Sequence, residues 1–198
     1  MIAFSEPALR RSLEVLSEPK QLAFMLFLCE RMMPGFRKFG SDTNFRVSRY
    51  QQCLENGWLS LDEQPHRSKD EEASEECQKN APDTEKFDHP LTSAALNAAL
   101  SIGLLMSFLS EGNVNHIVEA AGLARDTMAL YVQSTEAIPP HSLGSKEIMK
   151  HPLVQQELKR QAEDLEFLAS LPEDVRGKIV HQIRERANQA AGLLPLEN

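Results

Sequence analysis

Residues 89–110, HPLTSAALNAALSIGLLMSFLS, contain no Asp, Glu, Lys or Arg. A run of this length, rich in helix-forming Leu and Ala, predicts a helix that is buried on most sides. Ser93, Asn97, Ser101 and Ser107 interrupt it, and its continuous apolar part is shorter than the roughly 20 residues that a membrane span needs. We therefore expect the central helix of a soluble bundle, with a membrane span as the alternative.

The rest of the chain also favours helices. Leu and Ala together outnumber Val, Ile and Thr by more than two to one, and no window alternates like a β-strand. We predict an all-α, single-domain bundle of seven or eight helices over residues 1–198. Capping hydroxyls predict helix starts at Ser5, Ser17 and Ser170. The last two helices are expected to form a hairpin around Pro172, the second ending at Gly192. On the outer side of the first of these helices, Lys159 should pair with Glu163 and Arg160 with Asp164.

Residues 62–88 differ in composition from the rest of the chain. Ten acidic side chains stand here against four basic ones, and large apolar residues are almost absent. This pattern predicts an exposed acidic connector with a short helix near residues 70–79.

Composition and charge argue against several function classes. A net charge of -8 and a pI near 5.3 disfavour nucleic acid and anionic membrane surfaces as partners. Binding of nucleic acid through the basic stretch 31–49 is therefore the weakest hypothesis. The N-terminus does not resemble a secretory signal, and Cys29, Cys53 and Cys77 are too few and too far apart for a disulfide framework. We expect a cytoplasmic protein with free thiols.

Catalytic and cofactor motifs are absent from the sequence. There is no His-Glu-x-x-His, Gly-x-Ser-x-Gly, Gly-x-x-x-x-Gly-Lys or Gly-x-Gly-x-x-Gly. The nearest approach to a metal motif, His116-x-x-Glu119, has the reverse of the di-iron spacing and occurs once. We predict no cofactor and no metal, and the absence of these motifs argues against an enzyme.

A second apolar run, QLAFMLFLCERMMPGFRKF over residues 21–39, carries Glu30 and Arg31 side by side. Adjacent residues point about 100° apart on a helix, so each charge needs its own partner. For Arg31 we predict the free carbonyls of a helix ending before Pro34. For Glu30 we predict Arg46 or Arg49 on the next helix. The pair then forms either a structural clamp between helices or a polar pocket.

This run resembles the YjaG-like family of bacterial proteins, which is catalogued as a domain of unknown function. The residues that carry the resemblance are Cys29, Glu30, Arg31, Met32, Pro34, Phe36 and Phe39. Weaker similarity follows near residues 94–109 and 151–157, so the resemblance extends along most of the chain. It implies an all-helical cytoplasmic protein and supplies no catalytic residue.

The predicted central helix carries two features with open alternatives. Asn97 must form a hydrogen bond when buried, either to another helix or to a ligand in a pocket. The small residues Ala95, Ala99, Gly103 and Ser107 form a ridge at four-residue spacing. This ridge serves either packing within the chain or a homodimer interface.

Our preferred interpretation is a non-enzymatic cytoplasmic protein that acts through contacts with an unknown protein partner or as a homodimer. The alternative is a binder of a small molecule or anion, or an unrecognised enzyme. Its polar pocket would surround Glu30 and Arg31 and draw on Arg46, Arg49 and Asn97.

Overall fold

The computed structural model describes residues 4–63, 71–136, 146–190 and 192–195. Over these ranges the chain forms nine α-helices and no strand, which confirms the all-α prediction and adds one helix to it. In chain order they are α1 (Glu6–Glu14), α2 (Glu18–Thr43), α3 (Ser48–Glu63), α4 (Glu71–Lys79), α5 (Thr92–Glu111), α6 (Val114–Thr135), α7 (Lys146–Lys150), α8 (Pro152–Ser170) and α9 (Lys178–Gln189).

Helix α5 is the predicted central helix. It packs against α2, α3, α4 and α6, and its Ala95, Ala99 and Ile102 are completely buried. In length and composition α5 could cross a membrane, but 72% of its apolar window is buried inside the protein. That degree of burial is typical of a core helix in a soluble domain.

Helix α2 does not end before Pro34 as predicted, but continues to Thr43. Pro34 cannot donate to the carbonyl of Glu30, which ordinarily weakens a helix at that turn. At the same turn, the carbonyl of Arg31 accepts a hydrogen bond of 2.7 Å from the N–H of Leu193. A distant segment therefore satisfies the backbone beside the proline.

The predicted helix starts have mixed outcomes. The Ser5 hydroxyl accepts a hydrogen bond from the Ala8 N–H, which confirms the first cap. Ser17 occupies a cap position without a side-chain cap bond. The cap at Ser170 was wrong, because this residue ends α8 and its hydroxyl donates to the Phe167 carbonyl.

The end predicted for the last helix was also wrong. Helix α9 begins at Lys178 and ends at Gln189, before Gly192. Gly192 is used for close packing instead: a Cβ there would lie 3.1 Å from the Pro34 ring. Leu193 and Leu194, which follow it, are buried.

Part of the predicted acidic connector packs on the core. Helix α4 lies on α5, with Ala73 and Cys77 only 1% exposed. The Ser74 hydroxyl donates to the Gly103 carbonyl at 3.0 Å and lies 2.7 Å from the Ser107 hydroxyl. Helix α4 therefore covers part of the small-residue ridge, which favours packing within the chain over a homodimer interface. Residues 64–70 of the connector lie outside the described residues.

Candidate functional site

The structure separates Glu30 from the arginines predicted to be its partners. Glu30 Oε1 accepts a hydrogen bond of 2.8 Å from the indole N–H of Trp58 on α3. Arg49 pairs with Glu76 at 3.0 Å, and Arg46 is exposed. The predicted partners of Glu30 were wrong because Trp58 faces Glu30, while Arg49 lies nine residues earlier on α3, about 13 Å along its axis.

Asn97 lies in another part of the molecule and links α5 to α6. Its side-chain amide donates to the Thr127 hydroxyl at 2.9 Å, and that hydroxyl donates to the Leu123 carbonyl at 2.8 Å. This arrangement is the interhelix hydrogen bond of the structural alternative. The five residues proposed from sequence therefore do not converge on one pocket.

Arg31 is the predicted residue with the richest surroundings. Its Nη1 lies 2.6 Å from Asp164 Oδ2 and its Nη2 lies 3.1 Å from Glu157 Oε1, both on α8. The three side chains are at most 7% exposed. The partners predicted for Arg31, free carbonyls at a helix end, were wrong because α2 does not end there. Two buried carboxylates pair with Arg31 instead.

Asp164 also joins α9 to this network. Its Oδ1 accepts hydrogen bonds from Nε and Nη2 of Arg186, at 3.0 and 2.9 Å. The Arg186 guanidinium lies over the Phe167 ring, 4.6 Å from its centroid, which favours a cation–π contact. A single carboxylate thus connects arginines from two helices.

The sequence pattern on α8 placed Asp164 on the outer side of the helix, paired with Arg160. That prediction was wrong because Asp164 is buried and faces Arg31 and Arg186. The companion prediction, a pair between Lys159 and Glu163, is confirmed at 3.4 Å.

The electrostatics of Arg31 follow from burial and from its two partners. Burial alone would lower the pKa of Arg31, but the carboxylates of Glu157 and Asp164 reverse this, and the pKa lies above its ordinary value. Arg31 is therefore charged at any physiological pH. Gln161 adds support, since its amide donates to Glu157 Oε1 at 2.9 Å and to the Ala121 carbonyl at 3.2 Å.

Two polar atoms of this network have no hydrogen-bond partner. They are Nε of Arg31 and Oε2 of Glu157, both buried. A buried unpaired donor or acceptor ordinarily costs about 1–3 kcal/mol, so such atoms are infrequent in native structures. The network can therefore donate one further hydrogen bond from Arg31 Nε and accept one at Glu157 Oε2.

A cavity of about 300 Å³ opens beside the network, and we call it the Arg31 pocket. The residues that line it are Phe27, Arg31, Arg160, Glu163, Asp164, Arg186, Ala187, Gln189 and Ala190. Among the described residues, Arg160 has neither a hydrogen-bond nor an ion-pair partner, although it lines this cavity. Six of the nine lining residues are charged or polar and three are apolar, so the cavity suits a polar or charged ligand better than an apolar one.

Sequence reasoning identified Arg31 but missed Glu157, Asp164 and Arg186. A signal for two of them exists on α8, where Glu157, Gln161 and Asp164 follow one another at spacings of four and three. That spacing places them on one helix face, and Leu168 extends the same face into the core. The partnership with Arg31 spans more than 120 residues and has no local signal.

The described ranges contain no group of three or more His, Cys, Asp and Glu side chains that could hold a metal ion. His116, from the nearest approach to a metal motif, lies 2.8 Å from Glu111 Oε2 in an ordinary surface pair.

Known proteins match most of this chain. It is 28% identical over 163 residues to the uncharacterized protein YjaG of Escherichia coli K12, covering 81% of this chain and 82% of that protein. The YjaG protein of Salmonella typhimurium LT2 is 27% identical with the same coverage.

A solved structure has the same fold. The crystal structure of a DUF416 family protein from Shewanella baltica OS155 matches with a TM-score of 0.76 and covers 96% of this chain and 95% of its own. The identity is 21%, so this likeness concerns the fold alone. The model of the family described as "Protein of unknown function (DUF416)" matches residues 8–192. The resemblance found in the sequence is confirmed, and the chain belongs to the DUF416 family.

Proposed function

We propose that this protein is a non-enzymatic cytoplasmic binding protein that holds a small anion, bearing a carboxylate or phosphate group, in the Arg31 pocket. One observation carries the proposal. The buried pair of Arg31 and Asp164, joined by the half-buried Arg186, borders a cavity of about 300 Å³ in which Arg160 has no partner among the described residues.

The charges around the cavity favour an anion. Glu157 and Asp164 offset the charges of Arg31 and Arg186, while Lys159 offsets Glu163. The charge of Arg160 is left over. A guanidinium with free N–H groups binds a carboxylate or phosphate through two parallel hydrogen bonds, which makes Arg160 the anchor of the site.

The remaining lining groups limit the size and shape of the ligand. A volume of about 300 Å³ is at the lower end for small-molecule sites. Phe27, Ala187 and Ala190 provide an apolar wall, and Gln189 supplies an amide that both donates and accepts. These groups suit a small metabolite with one anionic group and a short apolar body.

Action through a protein partner or as a homodimer stays a prediction. The small-residue ridge was its main sequence argument, and α4 covers part of that ridge. In the described part of the chain the exposed large hydrophobic residues are Val15 and Leu59, which are too few for an apolar docking face. Binding of an anion is therefore the better supported function.

The test compares two variants that each remove one positive charge. Arg160→Gln removes the anchor, whereas Lys79→Gln removes the same charge from an exposed position on α4 that does not line the pocket. In calorimetric titrations with succinate and with inorganic phosphate, we expect Arg160→Gln to weaken binding about tenfold, or ~1.4 kcal/mol. Lys79→Gln should bind like the wild type.

Native mass spectrometry of freshly purified protein complements the titrations, because it reports retained small molecules and oligomeric state together. A retained anionic adduct that Arg160→Gln loses would support the proposal. Absence of binding by both probes and of any adduct, or equal affinities of the two variants, would contradict it.

A further inference from the structure

Two cysteines far apart in sequence meet between α3 and α4. The sulfur atoms of Cys53 and Cys77 lie 3.8 Å apart, although 24 residues separate them in the chain. Both residues are 1% exposed, and neither forms a disulfide in the structure. No sequence signal pairs them, since their spacing matches neither a disulfide framework nor a metal motif.

Contacts on either side hold the two thiols opposite one another. The Tyr50 hydroxyl donates to the carbonyl of Cys77 at 3.0 Å, and Arg49 pairs with Glu76 at 3.0 Å. Both contacts join α3 to α4 within four residues of a cysteine. A disulfide needs its sulfurs about 2.05 Å apart, so they must approach by about 1.8 Å, a change within reach of side-chain rotation and a small helix shift.

An open groove lies beside this pair. Cys77 lines an open groove of about 620 Å³, together with Arg49, Tyr50 and Asn80. Hydrogen peroxide is little larger than water and fits such a groove. Access therefore favours Cys77 as the sulfur that reacts first, with Cys53 behind it.

We propose that Cys53 and Cys77 form a reversible oxidation site that peroxide converts to a disulfide between α3 and α4. The sulfur of Cys77 attacks one peroxide oxygen and the O–O bond breaks, giving a sulfenic acid and one water. The sulfur of Cys53 then attacks the sulfenic sulfur, and the S–O bond breaks to release a second water. Each sulfur loses one electron, and the two thiol protons end in the waters.

The surroundings slow the reaction of Cys77 with an oxidant. The hydrogen bond with Cys53 and burial both raise the pKa of Cys77, while Arg49 acts in the opposite direction. Since the thiolate is the reactive form, the reaction is slower than at an exposed, low-pKa cysteine. Once formed, the disulfide fixes α4 over Gly103 of α5.

The experiment treats the folded full-length protein with hydrogen peroxide and then alkylates it in denaturant. We expect the wild type to lose two alkylatable thiols and two hydrogen atoms of mass, with a peptide map that joins Cys53 to Cys77. Cys29→Ala is the matched control, because Cys29 contacts the Ser101 carbonyl and has no cysteine neighbour. It should still form the disulfide, and dithiothreitol should reverse it.

Cys77→Ala should keep its two remaining thiols alkylatable after the same treatment. Cys53→Ala lacks the thiol that resolves the intermediate, so it should stop at a sulfenic acid on Cys77 that dimedone traps. Oxidation should raise the Tm of the wild type and of Cys29→Ala only. Full alkylation of the treated wild type, a sulfinic acid in place of the disulfide, or links only between molecules would each overturn the proposal. If an alanine variant fails to fold by circular dichroism, the peptide map of the wild type decides alone.

Discussion

Helices α2 and α5 are both central, but they are buried in different ways. Helix α5 has no charged residue before Glu111 and packs through small and aliphatic side chains. Helix α2 buries the cations Lys20 and Arg31 and includes Pro34 in its interior. Shape therefore determines how neighbours pack on α5, while specific charge partners help determine how α8 packs on α2.

The difference follows from the cost of burying charge. An apolar surface accepts any apolar neighbour of matching shape, whereas a buried cation is tolerated only where a carboxylate meets it. Arg31 contacts Glu157 and Asp164 together, and these carboxylates lie seven residues apart on one face of α8, so a rotation of α8 would move both away from Arg31. We infer that the ion network specifies the placement of α8 more than it stabilises the fold.

The largest effect should come from removing the cation. Arg31→Met leaves Glu157 and Asp164 buried with reduced compensation, so we expect a loss of about 3–5 kcal/mol in the free energy of unfolding in urea. Adding Glu157→Gln and Asp164→Asn to this variant should recover part of the loss, because the stranded charges disappear. If Arg31→Met alone were as stable as the wild type, the proposed difference between α2 and α5 in how they are buried would be contradicted.

An intermediate effect is expected from enlarging the small-residue ridge of α5. A Cβ at Gly103 would lie 3.1 Å from Gln78 Cγ and 3.5 Å from the Ser74 carbonyl oxygen. Gly103→Leu should cost about 1–3 kcal/mol through overpacking against α4. Gly103→Ala is the control, and it should change stability by less than about 1 kcal/mol, because the flexible Gln78 side chain can move and Ala favours helix. Equal unfolding midpoints for the two variants would argue against close packing.

The smallest effect concerns the second buried cation of α2. Lys20 Nζ donates to Glu173 Oε1 at 2.6 Å and to the Leu171 carbonyl at 2.8 Å. The hydrogen bond from Lys20 lowers the pKa of Glu173 below its ordinary value. This interaction contributes stability above the ordinary pKa of glutamate and loses it as pH falls through the lowered one.

Thermal unfolding at several pH values tests this pair. The wild type should exceed Glu173→Gln in Tm at pH 7, and the difference should shrink on acidification. Asp174→Gln provides a control nearby, and its difference from the wild type should lack this acid-dependent loss. A difference between wild type and Glu173→Gln that grows towards low pH would contradict the assignment.

Local sequence patterns were sufficient to predict the helical fold but not the contacts of the candidate site. Helix α5 was predictable because the absence of charge over residues 92–110 is visible in the sequence itself. The continuation of α2 past Pro34 could not be predicted, because Leu193 and Gly192, which contact this turn, are about 160 residues away. Physical reasoning predicted that Glu30 needs a partner but could not select Trp58 over the basic residues.

The candidate site shows the same division between local and distant information. Arg31 was predicted as a candidate site residue because a charge in an apolar helix is conspicuous. Its partners Glu157 and Asp164 lie more than 120 residues further along the chain. Asp164 was misassigned because the four-residue spacing from Arg160 is compatible with a surface pair. Only the packing of α8 against α2 and α9 determines which way Asp164 faces.

The sequence separation within the ion network has a consequence for folding kinetics. Arg31 is 126 residues from Glu157 and 133 residues from Asp164, so these contacts close very long loops. We expect them to form after the rate-limiting step, since short-range helix pairs such as α5 and α6 cost less entropy to assemble. The network then acts mainly by slowing unfolding, which makes it a determinant of how long the folded protein survives once made.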